Sequence, residues 1–158
     1  MEFKHFVGID ISKMTFDVAI GQQSELVHFE FDNSNPGISK FISELVSRQA
    51  FRGNTLICLE HTGHYIDRIT RILHGEGYFV WVVQPLVLHY FSADLNRLKN
   101  DKTDAKKLMS YARSFSELAE RYIPESGPQA QLRKLERLRR QLVGLGQRIQ
   151  NMIASNRD

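Results

Sequence analysis

Apolar positions in the first half of the chain change their period repeatedly, and each change marks a predicted element. Phe3 to Ile9 is apolar and β-branched, Thr15 to Ile20 alternates around Phe16, Val18 and Ile20, and Leu26 to Phe31 alternates again. Three strands at hairpin spacing predict an antiparallel meander. Residues 32–37, Asp-Asn-Ser-Asn-Pro-Gly, supply a turn and helix N-cap candidates. Ile38, Phe41, Ile42, Leu45 and Val46 then keep the spacing of one amphipathic helix. Thr55 to Leu59 reads as a short buried strand, and a helix carrying Tyr65, Ile69, Ile72 and Leu73 stops at Gly75 and Gly77. Tyr78 to Val83 is a further strand, ended by Pro85. The order β-β-β-α-β-α-β-α predicts an α/β fold, a mixed sheet with flanking helices. A crossover helix joins the last two strands, so they should run parallel.

Beyond Pro85 the pattern turns helical. Leu86 to Leu98 is a weakly patterned helix. Asp104 to Ala119 is a clearer one, with Leu108, Tyr111, Ala112, Phe115 and Leu118 on one side. Pro124 and Ser126-Gly127-Pro128 are read as a break. Leu132, Leu135, Leu138, Leu142, Leu145, Ile149 and Met152 then recur at coiled-coil spacing, among Arg133, Lys134, Arg137, Arg139, Arg140 and Arg148. Gly144 and Gly146 each cost about 1 kcal/mol relative to Ala in a helix interior, so this segment is expected to need a partner.

A length of 158 residues holds one domain with a real core, with or without a short appendage, and not two full-sized domains. With 42% hydrophobic and 25% charged residues, wholesale disorder is excluded. The single cysteine, Cys58, makes no internal disulfide and fits a reducing compartment, most simply as an inert core residue. The amino terminus lacks a signal-peptide pattern and no apolar run reaches about 18 residues, so a cytoplasmic protein with no membrane partner is expected. The formal charge of +3 is unevenly distributed. Residues 1–94 carry 7 Lys+Arg against 11 Asp+Glu, and residues 95–158 carry 14 against 7. A basic C-terminal portion fits either a polyanion-binding region or a solvated helix face.

The candidate chemistry is carboxylate chemistry. Asp10 follows Phe6-Val7-Gly8-Ile9, which places a charge in or just beyond a central strand, where it needs a cation. Glu60 ends a second strand, and Asp101 and Asp104 are three apart at a helix start. Four such oxygen donors suit magnesium or manganese and phosphodiester chemistry; taken singly, Glu60, Asp101 and Asp104 read more readily as caps, first-turn acids or solubilising residues. Lys13, Lys99, Lys102, Lys106 and Lys107 around them either contact phosphates or balance local charge. His61 and His64 lack a third zinc ligand and read as an ordinary polar helix start. Phe79 and Trp81 read as core residues, whereas Tyr90 and Phe91 are the candidates for base stacking.

Three blocks carry a family resemblance: Gly8-Ile9-Asp10-Ile11-Ser12-Lys13, Glu60-His61-Thr62-Gly63-His64-Tyr65, and Lys99-Asn100-Asp101-Lys102-Thr103-Asp104-Ala105-Lys106-Lys107-Leu108. In order and spacing they resemble the DEDD transposases of the insertion-sequence "one-ten" family, which includes Piv-type DNA invertases. Val83-Gln84-Pro85 and Lys99-Asn100-Asp101 depart from the family's usual Val-Asn-Pro and Lys-Thr-Asp, without touching a carboxylate. The resemblance implies a RuvC-like domain of ribonuclease H fold over residues 1–123. A basic coiled-coil segment over 124–158 would lead to a further, serine-bearing domain, and no serine of this chain is assigned that catalytic role. It also implies Asp10, Glu60, Asp101 and Asp104 as a Mg2+ or Mn2+ tetrad, and a recombinase acting on DNA. A bridge RNA would guide it, and dimers and tetramers would build composite sites. Lys13, Lys99, Lys102, Lys106, Arg133, Arg137 and Arg140 are the expected nucleic-acid contacts. The alternatives are a non-catalytic nucleic-acid-binding and oligomerisation module and, less favoured on length, an actin-like sugar kinase or ATPase.

Overall fold

In the computed structural model, residues 2–22, 25–61, 63–95, 104–125 and 127–155 are described. Strands β1 (His5–Ile11), β2 (Thr15–Gln22) and β3 (Glu25–Asp32) form the meander, followed by helix α1 (Asn35–Ser47). Strand β4 (Thr55–Glu60), helix α2 (Ile66–Gly75) and strand β5 (Phe79–Val83) then form a parallel crossover unit. The sheet order is β3-β2-β1-β4-β5, with β1 antiparallel to β2 and parallel to β4. Three antiparallel strands continued by two parallel ones, with helices on both faces, are the mixed sheet expected from the order of elements and match the ribonuclease H-like fold that the resemblance implies.

Local chemistry sets the joints. Ser34 caps α1, its Oγ accepting from the Gly37 amide at 3.2 Å, and Pro36 sits in the first turn, where its missing N–H costs nothing. The Asn33 side chain donates to the Ser12 carbonyl at 2.9 Å, which ties the β1–β2 turn to the end of β3. After α2, Gly77 takes a left-handed φ of 85° that returns the chain to β5.

The sheet's two faces are covered differently. Odd-numbered residues of β1 (Val7, Ile9, Ile11) and even ones of β2 (Phe16, Val18, Ile20) meet Ile38, Phe41 and Leu45 of α1 and Ile66, Ile69 and Leu73 of α2, all buried. On the other face, Leu56, Cys58, Trp81 and Val83 meet Leu88 of helix α3 (Pro85–Leu95) and Leu108, Tyr111 and Ala112 of helix α4 (Asp104–Ser114). Trp81 is a core residue, as expected, and the Cys58 thiol is pushed up by burial.

Four expectations are corrected. Strand β1 begins at His5 rather than Phe3 and runs on to Ile11. The helix expected over 104–119 ends at Ser114, because Phe115 leaves helical geometry (φ −125°, ψ 27°) and a short 3-10 turn follows. The chain then runs back along β5, where the Tyr122 amide donates to the Val80 carbonyl at 2.7 Å; Leu118, expected on the buried side, is 67% exposed. Phe91, expected as a stacking platform, instead packs edge-on against Tyr111 and Phe115, at ring distances of 5.3 and 5.8 Å. Finally, Gly127-Pro128, expected within the break, already belongs to the helix expected from Leu132: α5 spans Gly127–Ser155 and continues through Gly144 and Gly146. A proline in a helix's first turn is tolerated, which is why the same residue reads as a break or as a start.

Residues 1–124 and 125–158 are two separate compact units. In the second, Leu132, Leu135, Leu138, Leu142, Leu145, Ile149 and Met152 are between 46% and 68% exposed in the isolated chain. No helix among the described residues is long and apolar enough to cross a membrane.

Candidate active site

The site grows out of the second sheet face. Gly8 on β1 faces α4, and a Cβ there would collide with the Ala105 carbonyl and the Met109 amide. Gly21 on β2 faces the Met109 side chain in the same way, and Ala19 lies opposite Gly8 in the strand register. Small residues at these positions let α4 lie directly on the strands. Its first residue, Asp104, is thereby brought to the end of the sheet where β1 carries Asp10 and β4 ends in Glu60. Asp10 and Glu60 occupy the rung after the Ile9–Leu59 pair of two parallel neighbours, and alternation turns both to the α4 face.

Electrostatics record the convergence. Burial first, then the charges of Asp104 and Asp17, hold the Asp10 carboxyl above the usual carboxylate range, against the opposing pull of the Ile11 amide and Lys107. Glu60 is raised by burial and by the charges of Asp10 and Asp104. Asp104 is the outermost of the three, with 58% of its side chain exposed, and its Oδ1 accepts from Lys107 Nζ at 2.8 Å. Both half-buried acids thus pay for like charge and for lost water, and a bound cation would relieve both costs.

Of the expected tetrad, Asp10, Glu60 and Asp104 are brought together, while Asp101 lies outside the described residues. As they stand, no three Asp, Glu, His or Cys side chains among the described residues are gathered closely enough to hold a metal ion. The donor chemistry, carboxylate oxygen throughout, suits a hard divalent cation, and Asp10, Glu60 and Asp104 are the residues that could supply it. Lys13 is exposed in the β1–β2 turn and Lys106 is exposed on α4; Lys99 and Lys102 lie outside the described residues. Arg133, Arg137 and Arg140 are exposed on α5, where Arg133 pairs with Glu125 and Arg140 with Glu136.

Two features escaped the sequence reading. Asp17 lies directly opposite Asp10 in the β1–β2 register and pairs with His28 Nε2 at 3.0 Å. A cavity of about 310 Å3 opens beside the carboxylates, lined by Glu60, Pro85, Leu88, His89, Asp104, Lys107 and Leu108. Helical spacing explains that lining, because Pro85, Leu88 and His89 stand at i, i+3 and i+4 on α3, as do Asp104, Lys107 and Leu108 on α4. Two helix faces meet over the end of β4, and among the described lysines near the acids it is Lys107 that reaches the cavity.

A family of transposases, the DEDD group of the insertion-sequence one-ten elements, matches this chain over residues 7–156. The chain belongs to that family. Among curated proteins it is similar to the pilin gene-inverting protein of Moraxella lacunata, at 32% identity over 112 residues, and to that of Moraxella bovis, at 29% over 110 residues. Each alignment covers 68% of this chain and 34% of the relative, so the chain spans about a third of the length of the relatives it matches. Membership in the DEDD transposases agrees with the sheet topology and decides against the actin-like kinase alternative.

Proposed function

We propose that this chain is the metal-dependent, RuvC-like part of a DNA recombinase. The observation that carries the reading is the convergence of Asp10, Glu60 and Asp104 at one end of the sheet, in a chain matched to a transposase family over residues 7–156. Asp10, Glu60 and Asp104, joined by Asp101, would hold Mg2+ or Mn2+. Such ions, when bound, neutralise phosphate charge and activate an attacking oxygen in phosphodiester chemistry. The chain's own contribution is positional. β1 and β4 fix two carboxylates on one rung of adjacent strands, Gly8 lets α4 bring the third, and Leu88 and Leu108 line the cavity beside them.

DNA is the substrate in this reading, and a bridge RNA is the guide. The second unit would join copies of the chain through the exposed leucine stripe of α5, since burying seven such side chains favours association. Lys13, Lys99, Lys102, Lys106, Arg133, Arg137 and Arg140 would contact phosphates, so nucleic-acid binding should fall steeply with added salt.

Thermal melting with added metal tests the centre. Millimolar Mn2+ or Mg2+ is expected to raise the Tm of the wild-type chain and to leave Asp10→Ala unmoved, because an ion that binds only the folded state stabilises it by mass action. A wild type indifferent to both ions would overturn the metal reading. In a longer protein containing this chain, Asp10→Ala should abolish recombination, and full activity in that variant would overturn the catalytic one.

A further inference from the structure

We propose that His89 is a substrate-contacting residue of this site, its imidazole N–H donating to a phosphodiester oxygen seated in the cavity beside Glu60 and Asp104. The inference rests on reading the carboxylates as a phosphodiester-processing centre and adds a residue that none of the three family blocks contains. Its support is geometric. His89 comes from α3, an element that supplies none of the carboxylates, and lines the same cavity as Glu60, Asp104 and Lys107. That position is held from both sides. Leu88 is buried against the sheet, and the Phe91 ring packs on Tyr111 and Phe115, so α3 cannot turn without breaking both contacts.

Charge explains why such a donor is needed. A phosphodiester approaching this cavity meets two carboxylates, and the lysine that lines it is already engaged with Asp104 at 2.8 Å. An imidazole N–H holds a phosphate oxygen as a directed donor even when neutral, without competing for the carboxylates as a further ammonium would. Pro85 and Leu88 close the apolar side of the cavity, which suits the sugar of the nucleotide that carries the phosphate. The ligand class is a nucleic-acid strand, here the DNA being processed.

Two measurements on the 158-residue chain test the proposal: Mn2+ affinity by calorimetry, and binding of an end-labelled single-stranded DNA and an RNA of the same sequence in saturating Mn2+. His89→Ala should weaken DNA binding about tenfold, the usual worth of a hydrogen bond to a charged group, with Mn2+ affinity and Tm unchanged. His89→Gln, which keeps a donor, should recover part of the loss. A loss on both DNA and RNA supports a phosphate contact, and a loss on RNA alone overturns the assignment to DNA. Unchanged binding of both strands by His89→Ala overturns the proposal while wild-type Mn2+ binding leaves the carboxylate centre standing. Weakened Mn2+ binding in that variant would make His89 a metal ligand and equally overturn it. A wild type that binds no Mn2+ removes the centre and the proposal together.

Discussion

The two faces of the sheet are built from the same strands and are covered in opposite ways. Against α1 and α2 the strands present Val, Ile and Phe, and the helices answer with Ile38, Phe41, Leu45, Ile69 and Leu73, all with no exposed surface. Against α4 they present Gly8, Ala19 and Gly21, so that a helix backbone lies on the strands and its first residue reaches Asp10 and Glu60. Thick apolar packing holds the first face. The second gives up side-chain volume for close approach and spends its end on carboxylates that repel one another. Stability and chemistry are thus divided between faces, and substitutions on each should fail in different ways.

The largest effect is expected on the thick face. Phe41 is fully buried, with its ring 5.6 Å from both Phe16 and Phe31. Phe41→Ala should cost about 3–5 kcal/mol, lost contact and cavity together, as read by urea denaturation. The variant that remains folded should keep its Mn2+-induced rise in Tm, because Asp10, Glu60 and Asp104 lie on the side of the sheet away from that ring. Loss of the metal response there would show the faces to be coupled.

Gly8→Ala on the other face should cost less and do more. The added methyl meets backbone atoms of Ala105 and Met109, which no rotamer change can move, so α4 must lift; overpacking of this kind costs about 1–3 kcal/mol. Because Asp104 travels with the helix, the metal response should fall even where the fold survives. A variant with a normal metal response would mean that α4 is not what delivers the third carboxylate.

Asp10→Asn should reverse the sign. The Asp10 carboxyl titrates above its ordinary range in the folded chain, so the folded state holds its proton more tightly than the unfolded one. Stability then falls as pH rises from the ordinary carboxylate value through the raised one. In chelator, Asp10→Asn should therefore melt above wild type at neutral pH. That advantage should shrink as the pH drops toward the ordinary carboxylate value. A lower Tm for the variant at pH 7 would mean that Asp10 is held by a partner rather than repelled.

These contrasts also mark what could be read from the residues alone. The apolar run Phe3–Ile9 and the alternation over Thr15–Ile20 gave the strands, and a charge after an apolar run pointed to Asp10 and Glu60. Asp17 was open to the same logic. A short turn at Ser12–Met14 sets it opposite Asp10, but that follows only once the register is fixed. His89 could not be found from its own helix, because it carries ordinary helical spacing and the cavity exists only where α3 and α4 lean over β4. The end of α4 was misread for a similar reason. Phe115 and Leu118 keep the apolar spacing, yet the chain leaves the helix to cover the edge of β5, a demand of the sheet and not of the local sequence.

The smallest effect lies at the start of β1, on the thick face. His5 is 2% exposed, its Nδ1 has no hydrogen-bond partner, and burial, with a smaller push from Lys4, holds its pKa below the ordinary histidine value. A depressed histidine gives the linkage the opposite direction from Asp10. The unfolded chain binds the proton first, so stability is kept above the ordinary value near pH 6.5 and lost as pH falls below it. His5→Phe should flatten the stability curve between neutral pH and mild acid, with little change at pH 8, as read by urea midpoints across that range. An equally steep acid limb in the variant would assign the loss to other groups.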